Sequence, residues 1–183
     1  MREMRTKASS TEAPSLSDAP VTLEGILDPD RVLCDIRARS KKHALDLLSE
    51  TLSSGEQRLH KLEIFDCLVS RERLGSTAIG CAVAIPHARV NTLSDLRAAF
   101  VRLAEPVAFD AADGKPVRFL FGLLVPDGDE EKHLRLLSTI AQMLARDLFR
   151  KSLDEARDAD ELYNILISFE PTAKFTDDAP DHS

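Results

Sequence analysis

Val117–Val125 reads Val-Arg-Phe-Leu-Phe-Gly-Leu-Leu-Val, an almost unbroken apolar run closed by Pro126-Asp127-Gly128. A run of this length between turn signals is expected to be a strand covered on both faces, and such a strand needs helices above and below its sheet. The chain is thereby restricted to a layered α/β arrangement. Ser40 is placed to cap a helix over Lys41–Leu52, where Ala44, Leu47, Leu48 and Thr51 recur at helical spacing. A second helix is expected from about Glu56 to Arg71, its stripe made by Leu59, Leu62, Phe65 or Cys67, Leu68 and Val69. Strands are expected within Val32–Ile36, at Ala82–Ile85 and at Leu96–Leu103, with a short edge strand at Val107–Phe109 and a hairpin signal at Asp113-Gly114. After the apolar run, Asp127 or Asp129 can cap a helix over Glu131–Arg146, with Leu134, Leu137, Ile140, Ala141 and Leu144 inward. A short helix near Leu148–Ala156 follows, then a last one opened by Asp158 with Glu161 and ending near Ser168. Helices and strands interleave, so the sheet is expected to be parallel or mixed with helices on both faces. Residues 1–20 and 169–183 are polar and aperiodic, and are expected to be disordered tails around one folded unit, residues 21–168.

Charge and composition exclude several roles. The formal net charge of −7 argues against a nucleic-acid surface and against a polybasic membrane contact. No apolar run approaches the roughly 20 residues that span a bilayer. Residues 1–20 hold no apolar core of a secretion signal. Cys34, Cys67 and Cys81 form no Cys-x-x-Cys pair, which fits a reducing cytoplasm.

The chemistry gathers around Arg71-Glu-Arg-Leu-Gly-Ser-Thr-Ala-Ile-Gly-Cys-Ala-Val-Ala-Ile-Pro-His87. Pro86 cannot donate to a ladder and is expected to end the Ala82–Ile85 strand, leaving His87 just past a carboxyl end, where open α/β sheets place ligands. His133 opens the helix after the Val117–Val125 strand. If the two strands are parallel neighbours, both imidazoles reach one rim. His43, His60 and His182 sit at no strand end and are read as inert. A neutral imidazole is a nucleophile near pH 7, and attack on a phosphoryl group gives a phosphohistidine. The added charge needs partners: paired hydrogen bonds from Arg71, N–H groups and hydroxyls from Gly75, Ser76 and Thr77, and a donor from His133. Two histidines also suit zinc, but no third ligand is spaced to complete a site, so no metal or other cofactor is expected. There is no Gly-x-x-x-x-Gly-Lys, Gly-x-Gly-x-x-Gly or Gly-x-Ser-x-Gly.

These residues resemble the active-site signature of the enzyme IIA proteins of the bacterial phosphotransferase system, fructose/mannitol-type family. Pro106-Val-Ala-Phe-Asp-Ala-Ala-Asp-Gly-Lys-Pro-Val, Leu123-Leu-Val-Pro and Lys132-His-Leu-Arg-Leu-Leu are similar to its nitrogen-regulatory branch. The resemblance spans about residues 21–168. It implies a single three-layer α/β/α sandwich with a five-stranded mixed sheet. It implies that His87 is phosphorylated at Nε2 by a small HPr-like carrier protein, with Arg71 and His133 completing the site. Nitrogen-type members act as regulators; sugar-type members pass the phosphoryl group to a membrane transport component. A binding module whose His87 does not turn over is the rival from another class, and a metal-dependent hydrolase is a third. Leu74, Ile79 and Val90 are candidates for an apolar docking apron. The family usually has Gly where Ala82 stands and often a polar residue at Cys81. A methyl at 82 is expected to require a negative φ, and the Cys81 side chain is expected to turn away or pack as an inert thiol, with oxidation sensing beside the site as the alternative.

Overall fold

The computed structural model describes residues 22–128 and 130–169. In chain order the elements are β1 (Leu27–Ile36), α1 (Lys41–Ser53), α2 (Lys61–Arg73), β2 (Ala78–Gly80), β3 (Val83–Ala84), β4 (His87–Arg89), β5 (Arg97–Val107), β6 (Val117–Val125), α3 (Glu130–Ala145), α4 (Asp147–Glu155) and α5 (Ala159–Ile167). Alternate residues of β6 serve two cores. Phe119, Phe121, Leu123 and Val125 pack with Leu136, Ile140 and Leu144 of α3, Leu153 of α4 and Leu162 and Leu166 of α5. Leu120 and Leu124 pack with Leu45, Leu48 and Leu52 of α1 and Ile64 and Leu68 of α2. Helices therefore cover both faces, as the apolar run demanded, and the architecture is a three-layer α/β/α sandwich.

The sheet is mixed. Its path is β1-β5-β6-β3-β2, with β4 also on β6. β1 runs parallel to β5, β5 antiparallel to β6, and β3 and β4 parallel to β6. Six strands stand where five were expected. The extra one arises because Pro86 interrupts but does not end the ladder. β3 faces Phe119 and Leu120, the Pro86 carbonyl accepts from Leu123 N–H at 3.0 Å, and pairing resumes with His87 opposite Leu123. The expected piece at Val107–Phe109 is not a separate strand: β5 runs on to Val107, which pairs with Val117 of β6 beyond the last β1 partner, Leu103, and Phe109 lies past the strand's end.

Gly122 lets α1 lie close on β6: a Cβ there would meet Leu48 side-chain atoms at 2.7–2.9 Å. Ser40 caps α1 by accepting from His43 N–H at 3.2 Å. α2 starts five positions later than expected, which moves its stripe to Ile64 and Leu68; Leu62 and Cys67 face solvent. Likewise Leu136 replaces Leu134 on the inner side of α3. Asp158 caps α5 by accepting from Glu161 N–H at 2.9 Å, but the Glu161 carboxylate returns to Arg157 N–H rather than to the cap. Buried Arg102 of β5 clamps the sheet to the α4–α5 connection. It donates to the carbonyls of Leu153 and Ala156 at 2.7 and 2.8 Å and to Asp35 at 2.9 Å. Phe169, placed by expectation in the C-terminal tail, packs on Phe149 with ring centroids 5.6 Å apart. The rest of the expected tails, residues 1–20 and 170–183 with His182 among them, and Asp129 lie outside the described residues.

Candidate active site

Three elements converge at the rim where β4 begins. Ala88 points into the α1/α2 core, so strand alternation turns His87 and Arg89 toward α3. α3 starts after β6, the strand that β4 pairs with, and brings His133 to His87 with ring centroids 5.5 Å apart, edge to face. α2 ends at Arg73 and extends Arg71 over the same rim. The parallel pairing on which the convergence of the two imidazoles depends is present.

The bonds around His87 assign its proton. Nδ1 lies 2.9 Å from the Ile85 carbonyl, which can only accept, so Nδ1 carries the hydrogen. Nε2 accepts from Arg71 Nε–H at 3.1 Å. The Nε2 lone pair thus faces the guanidinium. Burial holds the imidazole below its ordinary pKa; the Ile85 carbonyl opposes this, Arg71 adds to it, and Glu72 opposes it. Burial also lowers His133, aided by the charges of His87 and Arg89 and opposed by Glu130. His133 Nε2 is buried and has no hydrogen-bond partner among the described residues. A buried imidazole nitrogen left unpaired beside a second imidazole is suited to an incoming polar group.

The Gly75–Thr77 loop serves the site differently from the expected anion cradle. The Gly75 carbonyl accepts from Arg71 Nη1 at 3.1 Å and holds the guanidinium. Ser76 Oγ donates to the Phe109 carbonyl at 2.6 Å. Thr77 turns both its N–H and its hydroxyl to Glu72, at 3.0 and 2.5 Å. In this arrangement the two hydroxyls and the Thr77 N–H are committed within the protein.

Glu72 is the residue that sequence reasoning passed over. It is 7% exposed and also pairs with Lys41 Nζ at 2.5 Å. The signal was present: Ile64, Leu68 and Glu72 fall on one helical stripe, so a carboxylate occupies an inward position.

Two other expectations change. Cys81 and Ala82 have φ of 54° and 61°, giving a two-residue type I′ hairpin between β2 and β3. Ala82 therefore holds a left-handed backbone despite its methyl group, and the Asp113 carboxylate supports the turn by accepting from Cys81 N–H at 2.9 Å. The Cys81 thiol is exposed rather than packed. Leu74 and Ile79 are exposed, but Val90 packs partly against the α1/α2 core. Leu134, next to His133, is 66% exposed. His60 stands at the start of α2, and His43 Nδ1 accepts from Arg39 N–H. Among the described residues, no three His, Cys, Asp or Glu side chains gather as a metal site would require.

Residues 25–169 match the family described as "Phosphoenolpyruvate-dependent sugar phosphotransferase system, EIIA 2". The chain is 42% identical over 147 residues to a nitrogen regulatory protein of Pseudomonas aeruginosa, covering 80% of this chain and 96% of that one. With a nitrogen regulatory protein of Escherichia coli K12 the identity is 37% over 158 residues, 85% of this chain and 96% of the relative. Among solved structures, the nitrogen regulatory protein IIA-Ntr of Neisseria meningitidis superposes with a TM-score of 0.73 at 39% identity, covering 77% of this chain and 96% of that one. The IIA mannitol structure from Escherichia coli, 19% identical with a TM-score of 0.65, shares the fold; the match covers 76% of this chain and 97% of that one.

Proposed function

The chain belongs to the EIIA 2 family of the phosphoenolpyruvate-dependent sugar phosphotransferase system, and from that premise we propose that it is a phosphoryl carrier that accepts its phosphoryl group on His87 Nε2. The observation that carries this reading is the pair of bonds fixing the ring: Nδ1–H on the Ile85 carbonyl, and Nε2 as an acceptor facing Arg71. Burial keeps the imidazole neutral, and only the neutral ring has a lone pair for phosphorus.

The donor is a phosphohistidine on a small HPr-like carrier protein. Its N–P bond breaks as the His87 Nε2–P bond forms, and the donor imidazole leaves with the electron pair. The Nδ1 hydrogen of His87 stays in place. Arg71 Nε–H now points at the lone pair that must take phosphorus, so the guanidinium shifts to a phosphoryl oxygen as the bond forms. His133 offers its unpaired Nε2 to another oxygen. Catalysis is positioning and charge stabilisation, without a cofactor. Leu74, Ile79 and Leu134 supply exposed apolar surface near the site in sequence for transient docking.

The similarity to nitrogen regulatory proteins favours a regulatory output over delivery to a membrane transporter. A phosphoryl group at this rim changes partner affinity by adding nearly two negative charges. No described helix is long and apolar enough to cross a membrane, and the proposed site of action is the cytoplasm. Incubation with a phosphorylated HPr-like carrier should give an acid-labile, base-stable adduct that is absent in His87→Ala. Absence of an adduct in the unmutated chain would rule the carrier reading out.

A further inference from the structure

A carboxylate on the inner stripe of α2 is costly twice over. It sits in the last turn, where the helix dipole disfavours negative charge, and burial penalises an ion unless its bonds are complete. Glu72 is almost fully paired: Lys41 Nζ reaches Oε1 at 2.5 Å, and the Thr77 N–H and hydroxyl reach Oε2 at 3.0 and 2.5 Å. Lys41 is itself held, 3.1 Å from Asp110 Oδ2 and 3.3 Å from the Phe109 carbonyl. The carboxylate thus ties the start of α1, the end of α2 and the loop leading into β2.

That loop leads to His87. The Thr77 carbonyl accepts from Ile85 N–H at 3.0 Å. The Ile85 carbonyl accepts from His87 Nδ1–H at 2.9 Å. On the other side, Glu72's own carbonyl accepts from Gly75 N–H at 3.2 Å, and the Gly75 carbonyl holds Arg71. Both partners that dictate where the His87 proton sits are therefore anchored on Glu72, one through its side chain and one through its backbone.

We propose that Glu72 is a positioning residue for His87: its carboxylate fixes the Thr77 and Ile85 backbone so that the imidazole proton stays on Nδ1 and Nε2 faces the donor. The inference rests on His87 being the nucleophile. It gives a buried carboxylate the orienting task that, in triads, falls to one bonded directly to the histidine. Here two backbone groups intervene. The amide of a Gln at position 72 brings one acceptor to three donors, so Thr77 or Lys41 loses its partner.

The test is Glu72→Gln in the full chain, with His87 followed by nitrogen NMR. The charged and titratable groups around the ring are Arg71 and Glu72 from α2, His133 from α3 and Arg89 from β4. The Nε2-protonated form should become detectable in the variant, and the His87 titration midpoint should fall, because the negative charge that raises it is gone. Phosphorylation by the HPr-like carrier should slow on the order of tenfold. A folded Glu72→Gln that keeps the original tautomer overturns the proposal, whatever its midpoint. If that variant does not fold, Thr77→Val decides, with Thr77→Ser as the conservative control. A tautomer shift in Val but not in Ser supports the proposal, and no shift in Val overturns it. The NMR measurements need no phosphoryl donor. An unmutated chain that takes no phosphoryl group therefore defeats the carrier reading alone.

Discussion

Arg71 Nε stands 3.1 Å from His87 Nε2, so the guanidinium occupies the position a phosphorus atom would approach. A charge-assisted donor there holds the lone pair in place and opposes protonation of the ring, and under the proposed function it is adjacent when negative charge arrives.

Removing the guanidinium should therefore affect transfer more than folding. Arg71→Ala is expected to slow phosphorylation by a carrier at least tenfold, about 1.4 kcal/mol of barrier. Because Arg71 lowers the His87 pKa, the variant's titration midpoint should rise. Rapid-quench kinetics and NMR titration check the two effects separately.

Both site histidines are held below their ordinary value of about 6.5, chiefly by burial. The unfolded chain then binds protons first on acidification. Their contribution to stability is complete above the unfolded pKa and is lost as pH falls from there through the folded values. Urea midpoints should decline on acidification within this window, and the His87→Ala, His133→Ala double variant should show a shallower decline.

Ala82 at φ 61° bears a steric cost that glycine avoids. Ala82→Gly should raise stability by up to about 1 kcal/mol, read from urea denaturation, with the Asp113–Cys81 bond retained. A loss of stability would show that the methyl makes compensating contacts.

Gly122→Ala should cost about 1–3 kcal/mol, because the new methyl meets Leu48 at under 3.0 Å. Combined with Leu48→Ala, the loss should be less than the sum of the two single variants. Thermal melts of the four proteins make the comparison.

Much of this molecule is written locally. A nine-residue apolar strand forces two helical layers because its alternate side chains must both leave water, and Val117–Val125 did so. Ser40 and Asp158 mark helix starts by each accepting one backbone N–H, whereas Pro86 interrupts the ladder without ending it. The motif around Arg71 and His87, and the position of His133 at a helix start, needed only parallel neighbours to become a site. Helix faces were less legible where several apolar residues competed, as Leu62 and Leu134 did, because small changes in helix start or rotation choose which are buried. The left-handed turn at Cys81 and Ala82 was opposite to the local expectation. A hairpin between two sheet strands determines its hand, and the remote Asp113 accepts its N–H.

The chain's order of residues alone settled the layers, the order of elements and which two imidazoles could meet at one rim. Tertiary structure decided which nitrogen of His87 carries its proton, where Arg71 points, and that Glu72 anchors the backbone behind both. Tautomer and orientation depend on bonds from Ile85, Gly75 and Thr77, residues that acquire those partners only when sheet and helices close on one another.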